Sequence, residues 1–347
     1  MGVVLVEKRV KDEVERFIKL DSKKPAMKLY RLFASDFRKG SKKSTSTIRV
    51  EIDNIDETRA APTGKQFANA NVICSKDGKK ELFIPSVQFN LKEDLVFEDG
   101  FECSEEKEKL DNIQRETAKK IGLLYTGVEN RVVAIGFGII KTGKLQAHGA
   151  TFDFGNSFIQ AATASEKYSE AEFDVMAFID SKLADVDADK ILIPYSDIND
   201  FKGSIKDCGG NSCDGRDFIK AEASEKGNLA RDGYILVGYH EGTMTPIYAV
   251  SAKITENVRN ETTGESETQA ITLLEPGQML FIKSNIIRHS FGALQKVKDG
   301  VSLPGRTDFR FFKKIDDEKG FVYARLQTAP TPYLVDTEGL ILVNGLK

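Results

Sequence analysis

Hydrophobic positions recur most regularly between Ser104 and Ile140. Leu110, Ile113, Thr117, Ile121, Leu124, Val128, Val132 and Ile135 follow one another in steps of three or four, the spacing that lines one face of an α-helix. Ser104 stands where a cap belongs, with Glu105 and Glu106 in the first turn beside the positive end of the helix dipole. A helix over 104–140 would be about 50 Å long, several times the average of ~11–12 residues. Gly122 and Gly127 weaken it and predict a kink.

The pattern ahead of this helix is different. Val10, Val14, Phe17 and Ile18 predict a short amphipathic helix over 7–20. Residues 21–47 are polar and basic and read as an extended arm with one apolar patch, Leu29-Tyr30-Arg31-Leu32-Phe33. From Ile48 to Leu91 the period falls to two, in Ile48, Val50 and Ile52 and again in Val87, Phe89 and Leu91. Asp77-Gly78 is a turn signal between Val72-Ile73 and Leu82-Phe83-Ile84. Such a β excursion is barely stable alone in water and has open edges. It is expected to lie on its own domain or on a neighbouring subunit.

Beyond the helix, residues 145–155 predict a hairpin, and Ser169 with Glu172 predicts a capping box for a helix through Phe173 and Met176. Ile191-Leu192-Ile193-Pro194 and Met279-Leu280-Phe281-Ile282 read as short buried strands. Tyr234–Tyr239 and Pro246–Ile254 read as strands paired around Glu241-Gly242-Thr243. Residues 203–232 and 259–268 read as loops. The class is α+β, without an internal repeat.

Composition narrows the picture. The chain has 347 residues, 40% hydrophobic and 30% charged, with net charge −3, which fits a folded chain and argues against bulk electrostatic binding of nucleic acid. Residues 1–45 depart from this balance, with thirteen Lys and Arg against six Asp and Glu. Two readings stand: a solvated tail, or an arm that meets something anionic, carried by Lys23, Lys24, Lys28, Arg38, Lys39, Lys42 and Lys43. No run approaches the ~20 uninterrupted apolar residues of a membrane span, and Met1–Lys8 shows no leader pattern. Cys74, Cys103, Cys208 and Cys213 are too sparse for a disulfide framework. Cys208 and Cys213, close together in a Gly-rich stretch, could face the rim or centre of an assembly.

Candidate chemistry mostly falls away. Gly138 to Lys144 nearly matches a phosphate-binding loop, but Leu145 replaces the magnesium-holding Ser or Thr, and the segment ends a helix rather than starting one. Asp185, Asp187 and Asp189 begin like a calcium loop, but Lys190 replaces the Gly and Ser196 the closing Glu. His240-Glu241 begins a zinc-protease pattern that lacks its second His at Met244. The pattern therefore offers no catalytic, cofactor-binding or metal residues. A small-molecule enzyme within 156–300 would have only scattered groups such as His240 and Asp197.

The order of elements resembles the lambda-type major head proteins, the family called major capsid protein E. Four stretches carry the likeness: Glu57 to Gly64 through Leu82-Phe83-Ile84-Pro85; Arg115-Glu116 to Lys144, then Phe152 to Gly155; Glu275 to Leu280 with Phe291-Gly292; and Leu326 to Pro330 with Pro332 and Leu334. The stretch from Lys202 to Arg231 and the absence of Trp depart from it. The resemblance implies a Hong Kong 97-type capsid fold. The expected parts are an N-terminal arm (1–47), an extended β loop (48–100), a peripheral domain (101–160 with 300–347) and an axial domain (161–299). It implies pentamers and hexamers of one chain in an icosahedral shell around double-stranded DNA, bound without sequence specificity. Scaffold, portal and decoration proteins would be partners, no membrane would be involved, and assembly would take place in the host cytoplasm. Arg59, Ala61, Pro62, Phe83 and Pro85 are the expected subunit contacts. An encapsulin-like nanocompartment shell is the alternative with the same fold.

Overall fold

The longest hydrophobic period becomes the longest element. In a computed structural model of the chain, Glu106–Thr142 is one uninterrupted α-helix of 37 residues, roughly 55 Å long at the usual rise. Described are residues 24–36, 39–42, 47–52, 73–74, 80–85, 89–95, 106–147, 150–206, 218–259, 266–298, 301–305, 309–316 and 321–347. The helix expected over 7–20, the Ser104 cap and the Asp77-Gly78 turn lie outside them.

Val128, Val132 and Ile135 of the predicted stripe are buried and Leu124 packs at their edge. From Val132 onward burial spreads around the helix, taking in Val133, Ala134, Phe137, Ile139 and Ile140, because elements pack on more than one side. Gly122–Thr142 is long and apolar enough to cross a membrane by length and composition, yet most of it is buried within the protein. Glu129 and Arg131 also interrupt it. The helix stops at Gly143, whose φ of +70° suits glycine; a Cβ there would lie 2.0 Å from the Gly155 carbonyl oxygen. The near-match to a phosphate loop is therefore a helix C-cap followed by the hairpin Lys144–Ala147 and Ala150–Asp153.

A seven-stranded mixed sheet forms the centre, in the order Phe218–Lys220, Tyr234–His240, Thr245–Val250, Lys190–Pro194, Gln278–Ile282, Leu340–Asn344, Ile159–Ala161. Its middle strands read as near-continuous apolar runs because both faces are covered. Leu192, Leu280, Ile282, Leu340 and Leu342 join the core shared with the long helix. Ile191, Ile193, Met279, Phe281, Ile341 and Val343 join a second core under the helix Val175–Asp185. That helix starts later than the expected capping box. Asp174 caps it, accepting from Met176 N at 3.0 Å, while Ser169–Phe173 stays in turns that stack Tyr168 on Phe173 and Phe173 on Phe178. Aromatic packing overrides the local cap signal.

The arm and the stretch 203–232 also depart from expectation. The apolar patch of the arm is not extended: Pro25–Tyr30 is helical, with Pro favoured in its first turn, and Leu29, Tyr30 and Phe33 are buried against the long helix. Ala34 then bridges to Ile287, and Ser41–Lys42 runs parallel to Ser290–Phe291. The stretch 203–232 is not all loop: Phe218–Lys220 is an edge strand of the central sheet, and Leu229–Asp232 is a short helix capped by Asn228. Phe218 is buried and packs on Phe201, which fixes that edge.

The β excursion begins with Thr47–Ile52 against Lys80–Pro85, and Ile73–Cys74 adds to the latter. Its foot is the paired Ile48 and Ile84, both fully buried. Phe89–Leu95, which the sequence groups with the excursion, pairs instead with Phe321–Thr328 and through it Phe309–Asp316. Two further ribbons have only two strands each: Lys253–Arg259 with Ser266–Thr272, and Leu294–Lys298 with Val301–Gly305.

Tyr30 lies so close to the long helix that a Cβ at Gly136 would meet its ring atoms at 2.4–2.8 Å. Gly136→Ala should gain ~1 kcal/mol of helix propensity and lose more to overpacking, a net destabilisation of about 1–2 kcal/mol. In a Tyr30→Ala background the same change should stabilise. Urea melts of the parent and the three variants check this.

Candidate functional site

Among the described residues, His240, Asp197 and His289 are engaged in holding the fold. His240 ends a central-sheet strand and is buried. Its Nδ1 lies 3.0 Å from Thr243 Oγ1, itself 2.6 Å from Thr245 Oγ1. Nε2 lies 2.8 Å from Asp180 Oδ1 but out of line for a hydrogen bond. The ring thus braces the turn in which Met244 takes a φ of +53°.

Asp197 is fully buried, and its carboxylate accepts from Gly277 N at 2.6 Å and Ser196 Oγ at 2.8 Å. Lys347 Nζ stands 3.3 Å from it and 3.0 Å from Asp200. These bonds latch the last strand onto the 275–278 turn. His240 and Asp197 have different partners and do not touch, so the structure leaves these two scattered groups apart.

His289 is buried between Tyr30 and Ser35, with Nε2 2.9 Å from the Tyr30 hydroxyl and Nδ1 3.2 Å from Ser35 Oγ. Burial pushes its pKa down to about 3, and the same burial raises the Tyr30 phenol far above its ordinary range. The ring is therefore neutral at any physiological pH and works as a polar pin between the N-terminal segment and the strand Ile287–Phe291. Residues 254 and 259 positions apart meet here, which no local pattern reports.

The aspartates at 185–189 do not converge. Asp187 pairs with Lys283, and Asp189 pairs with Lys190 and accepts from Ser284 N. Partial burial pushes the Asp189 carboxyl upward, but bonds from Lys190 and Ser284 prevail and hold it below its ordinary value. Among the described residues no group of three or more His, Cys, Asp or Glu is placed to hold a metal ion. An open cleft of about 430 Å³ lies beside Pro25 and Ile254, and one of about 610 Å³ lies between Leu183–Asp189 and Thr243–Thr245. Neither collects the convergent polar groups of a small-molecule site.

What remains is surface. Phe83 and Pro85 take register positions opposite Arg49 and Thr47, on either side of the buried Ile48–Ile84 pair at the foot of the excursion. Arg59, Ala61 and Pro62 lie outside the described residues, as do Lys23, Arg38, Lys43, Cys208 and Cys213. Of the basic candidates, Lys28 is committed to an internal ion pair with Asp232 at 2.7 Å. Lys39 and Lys42 are exposed, and Lys24 is half-buried.

No protein-family model and no curated protein sequence matches the chain. Among solved structures it is similar to a protein described as the capsid protein of a prophage in E. coli CFT073. The match covers 97% of this chain and 98% of that one, at 15% identity and a TM-score of 0.59. It has a Hong Kong 97-type capsid fold. Fainter likenesses, to a protein of Mycobacterium phage Patience (10% identity, 97% and 88% covered, TM-score 0.45) and to the SrpI encapsulin of Synechococcus elongatus PCC 7942 (10%, 93% and 88%, 0.44), add nothing to that assignment.

The His289 ring sets a sign for pH dependence. Unfolding exposes it to its ordinary pKa near 6.5, whereas the folded ring stays neutral down to about 3. The unfolded state alone binds the proton in that window, so stability is full above ~6.5 and falls with decreasing pH by up to about 1.4 kcal/mol per unit. Urea melts over a pH of about 4 to 7 should show this slope, and His289→Gln should remove about one proton from it.

Proposed function

We propose that the chain is the major capsid protein of a tailed bacteriophage, a shell-building subunit rather than an enzyme. In this reading it self-assembles into pentamers and hexamers of an icosahedral shell that encloses double-stranded DNA without reading its sequence. Scaffold, portal and decoration proteins join it, and it resides in the virion after assembly in the host cytoplasm. The observation that carries the reading is the capsid fold running through 97% of the chain. The engagement of His240, Asp197 and His289 in structural bonds agrees with it.

Physical chemistry points the same way. Ordering a residue costs about 1–2 kcal/mol, and a net backbone hydrogen bond returns only ~1 kcal/mol. The excursion beyond Ile48–Ile84 is thus marginal unless something covers it, and a second copy supplies that cover. Arg59, Ala61, Pro62, Phe83 and Pro85 are its proposed contacts. Lys39 and Lys42, with Lys23, Lys24, Arg38 and Lys43, are proposed to face DNA or scaffold; Lys28 would do so only by giving up Asp232.

Electron microscopy of the expressed chain, alone and with scaffold, should show capsomers or closed shells. Compact monomers under every condition would overturn the reading, and shells filled with cargo protein instead of DNA in the native host would favour the nanocompartment. Ile52 and Lys80 are register partners, so residues 53–79 can be replaced by an Asn-Gly turn. That variant should fold and melt like the parent but fail to form shells.

A further inference from the structure

The sheet formed by Phe309–Asp316, Phe321–Thr328 and Phe89–Leu95 has two outer strands, each with one side unpaired among the described residues. Both outer strands run antiparallel to the middle one, so they point the same way. Their registers against it give a common row for each residue from 309 to 315 and from 89 to 95. Phe311 and Leu91 share the row of Leu326; Lys313 and Glu93 share the row of Ala324; Lys314 and Asp94 share the row of Tyr323. One edge thus carries two adjacent lysines, and the other carries two adjacent acids at the same height.

We infer that this sheet continues from one copy of the chain into the next, the Lys313–Lys314 edge of one subunit receiving the Glu93–Asp94 edge of its neighbour. The inference rests on the self-assembly reading and goes beyond it by naming a second contact, separate from the 53–85 excursion. A neighbour displaced along the sheet with its rows aligned brings its acidic strand parallel to the basic one. Lys313 then stands beside Glu93, Lys314 beside Asp94 and Phe311 beside Leu91, and no pair across the new seam sets like charges together. Side chains on directly adjacent strands interact, and opposite charges there are favourable. The contact is head-to-tail, because the two edges differ, and such contacts close into rings when the rotation permits. It also removes two open edges that otherwise invite indiscriminate pairing.

Within a single copy the same residues stand two strand spacings apart, roughly 10 Å, beyond the ~7 Å limit for bridging two cysteines. That difference supplies the test. The full-length double variant Lys313→Cys/Glu93→Cys, oxidised under assembly conditions, should give a ladder of covalent oligomers on a denaturing gel. Each single variant and the parent chain should give none. In a second arm, Lys313→Glu/Lys314→Glu and Glu93→Lys/Asp94→Lys should each lower the associated fraction about tenfold in sedimentation. Their mixture, and the chain carrying all four changes, should recover it. A double-cysteine chain that stays monomeric on the gel while the parent assembles overturns this contact and leaves the self-assembly reading standing. Charge reversals that assemble like the parent do the same. A parent chain that never associates overturns both.

Discussion

The close approach of Tyr30 to Gly136 is the contact on which the rest of the architecture depends. The ring lies directly on the backbone of the long helix, packs edge-on to Phe33 and Phe137, and shares a hydrogen bond between its hydroxyl and His289. One side chain therefore ties together the N-terminal segment, the helix and the strand that leads toward the C-terminal part of the chain. Fully burying such a side chain contributes on the order of 1.5–3 kcal/mol. Its larger role is geometric, since it sets where the helix lies against the N-terminal segment and the strand Ile287–Phe291.

Around that seam the molecule divides its labour. The central sheet is covered on both faces and holds the two apolar cores. The foot of the β excursion is anchored in the same core, while the separate two-stranded ribbons leave strand edges unpaired among the described residues. Polar groups that would draw interest in an enzyme serve as braces: His240 under a tight turn, Asp197 beneath the last strand, His289 between segments far apart in sequence.

Much of this was legible in the residues. The run of apolar steps from Leu110 to Ile135 determined a long helix, because a 3.6-residue period has one structural meaning. The apolar runs at Ile191 and Met279 determined buried strands, since a strand covered on both faces carries such a run. Lys190 and Leu145, standing where calcium and phosphate loops need other residues, removed two sites on chemistry alone. The sequence could not report that the 29–33 patch would be helical and buried, that Asp174 rather than Ser169 would cap a helix, or that Phe89–Leu95 would join the C-terminal strands. Two of these depend on partners a hundred or more positions away, Gly136 and His289 for Tyr30 and Phe321–Thr328 for Phe89–Leu95, and the third on ring packing between Phe173 and Phe178. Local periodicity records which face of an element is apolar. Which surface that face meets, and so which polar groups are left over for partners, is a property of the folded packing and was decided only there.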